Sequence, residues 1–144
     1  MADTEDSGAY PRPMLTVDVV VLAATETGRS VLLVQRGNPP FRGSWALPGG
    51  FVEQGEEVVE AAPRELAEET GLRVGELRLL GVYDRPGRDP RGWTVSVVYL
   101  ACVPSETAVA GADDAADARW FAADGLPELA FDHALILADA LAAA

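Results

Sequence analysis

The stretch Gly50–Leu72, GFVEQGEEVVEAAPRELAEETGL, constrains this chain more than any other. It sets seven glutamates into 23 positions in a fixed pattern. Gly50 is followed by Gly55 and Glu56, then by Arg64, Glu65 and Leu66, then by Glu68, Glu69, Gly71 and Leu72. Glu65, Glu68 and Glu69 stand at i, i+3 and i+4, so a helix puts them on one side. Like charges at that spacing destabilise an isolated helix by about 0.2–0.5 kcal/mol per pair. The ordinary meaning of a Glu-rich helix is a solvated acidic face. A hard divalent cation would offset the repulsion more directly. Mg²⁺ takes oxygen ligands, keeps several waters, and typically uses one or two carboxylates together with substrate phosphates.

The flanks favour the cation. Val59, Ala62 and Leu66 form an apolar stripe beside the carboxylates, which docks the helix on a core. Gly71 stands where a helix stop needs a left-handed residue. Pro48-Gly49-Gly50 bends the chain before the helix and frees main-chain groups for a ligand. Pro63 removes one backbone bond, so the regular helix should begin close before it or bend there.

The stretch resembles the Nudix box, G-x5-E-x7-R-E-U-x-E-E-x-G-U with U apolar. Gly50, Glu56, Arg64, Glu65, Leu66, Glu68, Glu69, Gly71 and Leu72 fill every fixed position. A chance match in a chain of this size is on the order of one in a million or less. The resemblance implies an α/β fold, an α/β/α sandwich with a mixed central sheet. It also implies hydrolysis of a nucleoside diphosphate linked to another moiety, with Mg²⁺ or Mn²⁺. By the same resemblance Glu65 and Glu69 are the principal metal ligands. Glu68 is a further ligand or acts through bound water, and Gly49 offers its carbonyl. Arg64 and Glu56 are a supporting ion pair that orients the loop against the helix. Members of the family take the general base from a box glutamate, here Glu68, or from outside the box. Asp113 and Asp114 lie in an acidic loop where several relatives carry an acidic residue, and Asp114 is the candidate. His133 is the sole histidine and is read as structural.

Length and charge bound the partners. At 144 residues the chain is one domain's worth, with 49% hydrophobic residues. We expect a tail over 1–13 and a single domain over 14–144. The net charge of −12 argues against nucleic-acid and anionic-membrane partners. The eleven cationic side chains are all Arg, the better bidentate partner for phosphate. The lone Cys102 excludes an internal disulfide framework and reads as a small buried hydrophobe. No basic-then-apolar leader and no run of membrane-spanning length is present, so a cytoplasmic enzyme is expected.

In chain order, 15–23 and 30–36 read as a hairpin. Further strands are expected at 77–83, 93–103 and 117–121, the last with a buried Trp120. Residues 126–129 read as one turn and 132–143 as an amphipathic helix. Strands before and after a central helix, with a second helix at the end, suggest a mixed sheet between helices.

Substrate class rests on the loop Tyr83–Gly92 and on FDHALIL near the C-terminus, both similar to the ADP-ribose pyrophosphatase branch. That branch carries a proline about fifteen residues past the box, and Pro86 lies 15 after Gly71. Arg36, Arg42, Arg85, Arg88 and Arg91 are candidates to hold phosphates or stack on adenine. Phe41, Trp45 and Trp93 are candidate base platforms, with core packing the competing reading for Trp45. Two alternatives stay open: a Nudix enzyme for a nucleoside triphosphate, dinucleoside polyphosphate or nucleotide sugar, and a non-catalytic ADP-ribose sensor. Many relatives are homodimers, which this sequence does not decide.

Overall fold

A near-continuous run of β-branched and apolar residues organises the molecule. Strand β1 (Met14–Thr25) is buried from Thr16 to Ala23, and its alternate side chains enter two different cores. Val17, Val19 and Val21 pack on one face of the sheet, and Val20 and Leu22 on the other. The computed structural model describes residues 10–144, so the expected tail lies outside the described residues up to residue 9. Tyr10–Pro13 are exposed and irregular.

The remaining elements are β2 (Gly28–Arg36), β3 (Trp45–Ala46), β4 (Gly49–Phe51), α1 (Val58–Thr70), β5 (Arg78–Tyr83), β6 (Thr94–Val103), β7 (Ala115–Ala122) and α2 (His133–Ala143). The sheet runs β3-β2-β1-β6-β5, with β4 paired to β1 and β7 to β2. β1 and β6 are parallel, from Met14↔Thr94 to Ala23↔Val103. The other pairings are antiparallel, including the expected β1–β2 hairpin. The sheet is therefore mixed, and each core cluster includes residues of one helix. Ala61, Ala62 and Leu66 of α1 pack on Val17, Val19 and Leu32. Ile136, Leu137 and Ala140 of α2 pack on Val20, Leu33 and Val98.

Helix α1 carries its charge because it is anchored. Fully burying Leu66 is worth about 1.5–3 kcal/mol, more than the repulsion between any pair of its glutamates. A reciprocal Glu57–Glu60 capping box opens the helix, and Gly71 at φ 76° closes it. The helix begins at Val58, more than a turn before Pro63, and runs through the proline. The buried stripe is Ala61, Ala62, Leu66 and the carboxylates of Glu65 and Glu69, while Val59 is exposed.

Four smaller expectations are corrected. Cys102 is exposed near the end of β6. Trp120 is half-buried, with its indole N–H donating to the Thr107 carbonyl at 2.7 Å. Residues 126–129 form no turn, and Leu129 instead bridges Trp45. Helix α2 starts at His133, with Asp132 as its cap residue.

Candidate active site

The Pro48-Gly49-Gly50 bend is held from three sides. The Val19 N–H donates to the Pro48 carbonyl at 2.9 Å. The Gly49 N–H donates to Glu69 Oε1 at 2.9 Å. The Leu47 N–H donates to His133 Nδ1 at 3.0 Å. Gly49 is sterically required, and Gly50 leaves room for the Glu65 carboxylate. A Cβ on Gly49 would collide with the Val17 carbonyl, and one on Gly50 would lie 2.6 Å from the Glu65 carboxyl carbon. Glycine lets the backbone lie against the acidic face of α1.

Arg64 organises that face. Its Nε and Nη2 donate to the two oxygens of Glu56 at 2.6 and 2.9 Å. Its Nη1 donates to Glu65 at 3.0 Å and to Glu68 at 3.1 Å. Nη2 also reaches the Phe51 carbonyl at 3.1 Å. One guanidinium thus ties the loop before the helix to two of the three box carboxylates. The Arg64 hydrogen bonds hold the Glu56 carboxyl below the usual range.

Glu69 is differently placed. It is 7% exposed, and burial pushes its carboxyl up to about 8, with Glu65, Asp18 and Asp114 adding to the effect. Burial also raises Glu65, partly offset by Arg64. The loop bearing Asp113 and Asp114 is tied to the end of α1 by Ala112 N–H to the Glu69 carbonyl (3.1 Å) and Ala110 N–H to the Thr70 carbonyl (3.2 Å). Asp114 also accepts from Asn38 Nδ2 at 3.3 Å. Two desolvated carboxylates with further acids around them make a donor set suited to a hard cation. Among the described residues no three His, Cys, Asp or Glu side chains are grouped closely enough to hold a metal ion by themselves. A cation here would be completed by main-chain oxygen, water and substrate.

These groups line a cleft of about 390 Å³, within the range of small-molecule sites. Of the five candidate arginines, Arg36, Arg88 and Arg91 line it. Arg36 donates to the Pro40 carbonyl at 2.7 Å, and burial and the neighbouring Arg91 lower its pKa. Arg91 is held by Asp89 through bonds of 3.1 and 2.7 Å. Arg88 is only 4% exposed and clamps Asp132 at 2.9 and 2.7 Å, with Ser96 Oγ at 3.0 Å. Its donors are committed to the protein. Arg42 and Arg85 are exposed and do not line the cleft. Trp45 packs edge-on against Phe121, at 4.8 Å between ring centres, and neither Trp45 nor Trp93 lines the cleft.

Sequence reasoning missed a buried polar network under this floor. Asp18, 7% exposed in the middle of β1, faces His133 Nε2 at 3.7 Å. Ser96 Oγ, bonded by Arg88, also pairs with Thr16 Oγ1. Burial raises Asp18 and lowers His133. A neutral His133 accepts from Leu47 through Nδ1, which leaves the proton on Nε2 toward Asp18. A lone carboxylate inside LTVDVVVLA was the available signal, because an unpaired charge in a buried strand needs a partner.

Known proteins resemble this chain in sequence and fold. The NUDIX domain family model matches residues 13–141. The ADP-ribose pyrophosphatase of Methanocaldococcus jannaschii is 48% identical over 130 residues, covering 90% of this chain and 74% of that protein. The ADPR responsive transcriptional repressor NtrR of Acinetobacter baylyi is 35% identical over 137 residues, 92% of this chain but only 55% of that protein. Among solved structures, the NUDIX domain of Shewanella oneidensis NrtR complexed with ADP ribose superposes with a TM-score of 0.86 at 32% identity, covering 99% of both chains. With its complete box wrapped around a glycine bend and its mixed sheet between two helices, the chain belongs to the Nudix family, as a pyrophosphohydrolase.

Proposed function

We propose that the protein hydrolyses ADP-ribose to AMP and ribose 5-phosphate with Mg²⁺ or Mn²⁺. One observation carries this reading. The buried carboxylates Glu65 and Glu69 line the same cleft as Arg36 and Arg91, so a diphosphate can meet both. The similarity to an ADP-ribose pyrophosphatase at 48% identity supplies the substrate class.

In this reading Glu65, Glu69 and the Gly49 carbonyl hold the cation, with Glu68 as a further ligand or through water. The bound cation would neutralise diphosphate charge and lower the pKa of its water. Arg64 and Glu56 keep the helix and loop in register. Arg36 and Arg91 hold the diphosphate, the first as a partly buried cation and the second braced by Asp89. Glu68 or Asp114 takes the proton as water adds to phosphorus and the P–O–P bond breaks. The leaving phosphate departs as one half of the product pair. A cytoplasmic setting supplies both nucleotide and Mg²⁺. No helix among the described residues is long and apolar enough to cross a membrane.

The test is a hydrolysis panel of ADP-ribose, NADH, a dinucleoside polyphosphate, a nucleotide sugar and the nucleoside triphosphates, with Mg²⁺ and with EDTA. AMP and ribose 5-phosphate at the highest kcat/KM are expected, abolished by EDTA. Turnover of another nucleotide alone would keep the box chemistry and discard the substrate. The similarity to an ADPR responsive repressor favours a second reading, an ADP-ribose sensor. Tight ADP-ribose binding with Mg²⁺ and no turnover would select it. The complete set of box carboxylates favours the enzyme.

A further inference from the structure

Two phenylalanines and two arginines from four chain segments meet at the cleft, and the function above uses only the arginines. Arg91 Cζ lies 4.9 Å from the Phe51 ring centre and 5.4 Å from that of Phe131. Arg36 Cζ lies 5.0 Å from the same Phe131 ring. Phe41 abuts Phe131 edge-on at 4.8 Å. The series Phe51–Arg91–Phe131–Arg36 therefore alternates ring and cation, with Phe131 at its centre.

We infer that the Phe131 ring is the platform that recognises the nucleobase of the substrate. This rests on reading the cleft as a nucleotide site. Phe131 lines the cleft, and it belongs to neither core cluster. Its backbone is left-handed at φ 54°, as is that of Phe41 at φ 62°. Bulky residues rarely adopt that region, and where they do the surroundings over-determine it, commonly at ligand sites. The residues that fix it are its two successors. Asp132 is clamped by Arg88, and His133 is pinned by the Leu47 N–H. The strained turn presents the ring beside the two cations that hold phosphate. That order, anion seat then aromatic face, matches a nucleoside diphosphate end to end. Phe131 replaces Phe41, Trp45 and Trp93 as platform, because none of those lines the cleft.

The experiment is calorimetric binding of the two products, AMP and ribose 5-phosphate, to the full chain with Mg²⁺. Wild type is compared with Phe131→Leu, Phe131→Tyr and Phe51→Leu. The expected result is a Kd for AMP raised about tenfold or more in Phe131→Leu and restored in Phe131→Tyr, since base–ring stacking accounts for that much. Ribose 5-phosphate, which has no base, should bind all variants equally. Comparing two ligands on one preparation cancels any unfolded fraction. Equal weakening of both ligands would mean that Phe131 only shapes the cleft, and would overturn the inference. So would an unchanged AMP Kd in Phe131→Leu, or a loss found in Phe51→Leu instead. If wild type fails to hydrolyse ADP-ribose while Phe131→Leu still loses AMP selectively, the proposed substrate falls and the platform stands.

Discussion

Helix α1 and the start of α2 both bring charged side chains under the same glycine bend, and they treat charge in opposite ways. At α2 the polar groups have protein partners. Arg88 meets Asp132 and Ser96, and His133 meets Leu47 and Asp18. At α1 one cation, Arg64, serves Glu56, Glu65 and Glu68, while Glu69 has only the Gly49 N–H. A buried group left short of counter-charge is costly. The first region is completed by the fold, and in the proposed reading the second is completed by a bound cation. An arginine in the cleft is thus not automatically a substrate arginine. In the proposed reading Arg88 braces the fold through Asp132 and Ser96, and Arg36 and Arg91 meet the substrate.

The largest effect that would break this contrast is at Glu69. Glu69→Gln should lower kcat by about 10²-fold or more, as expected for a lost metal ligand. Near-normal turnover would remove Glu69 from the site. The same variant should not be less stable than wild type in metal-free solution at alkaline pH. Burial pushes the Glu69 carboxyl up from 4.5 to about 8 in the fold. Its folded state therefore favours the protonated form, and wild type loses stability as pH rises from about 4.5 through 8. The wild-type melting temperature should fall relative to that of Glu69→Gln across that window. A constant difference would contradict the burial of the charge.

Next in size is Arg88→Ala. Breaking a buried pair strands Asp132, at a cost of about 3 kcal/mol, seen as a lower denaturation midpoint. A normal midpoint with a raised KM would return Arg88 to the substrate. Arg91→Ala should raise KM about tenfold with kcat little changed, the signature of lost ground-state binding, and should also lower the midpoint, because it strands the buried Asp89. The smallest effect belongs to His133. Its pKa is lowered by burial, so the neutral form is favoured in the fold. Its contribution is present above about pH 6.5 and lost as pH falls below it. Wild type should therefore lose more stability than His133→Gln on going from pH 7 to pH 5. Parallel pH profiles would deny the buried neutral imidazole.

The sequence exposed these two regions unequally, for a physical reason. The acidic face of α1 is local. Glu65, Glu68 and Glu69 repeat at helical spacing, and Gly71 ends the run where a left-handed residue is needed. The strands were legible for the same reason, from local β-branched and apolar runs. The network under α2 is assembled across the chain. Arg88 meets a residue 44 positions away, and His133 meets Leu47 across 86. No pattern of neighbours specifies such pairs, so Arg88 looked like any other loop arginine. Exposure was lost in the same way. Val59 and Cys102 lie in apolar sequence, yet both are exposed. Phe131 was visible only as the first residue of FDHALIL, because the place of its ring depends on a left-handed turn and on arginines from two other segments.

The most direct test of the contrast is thermal melting of wild type and Glu69→Gln at pH 8.5 with increasing Mg²⁺, without substrate. Mg²⁺ should raise the wild-type melting temperature, because it supplies the counter-charge that α1 lacks, and should raise that of Glu69→Gln far less. No rise in wild type, or an equal rise in both proteins, would mean that the acidic face of α1 is not completed by a cation.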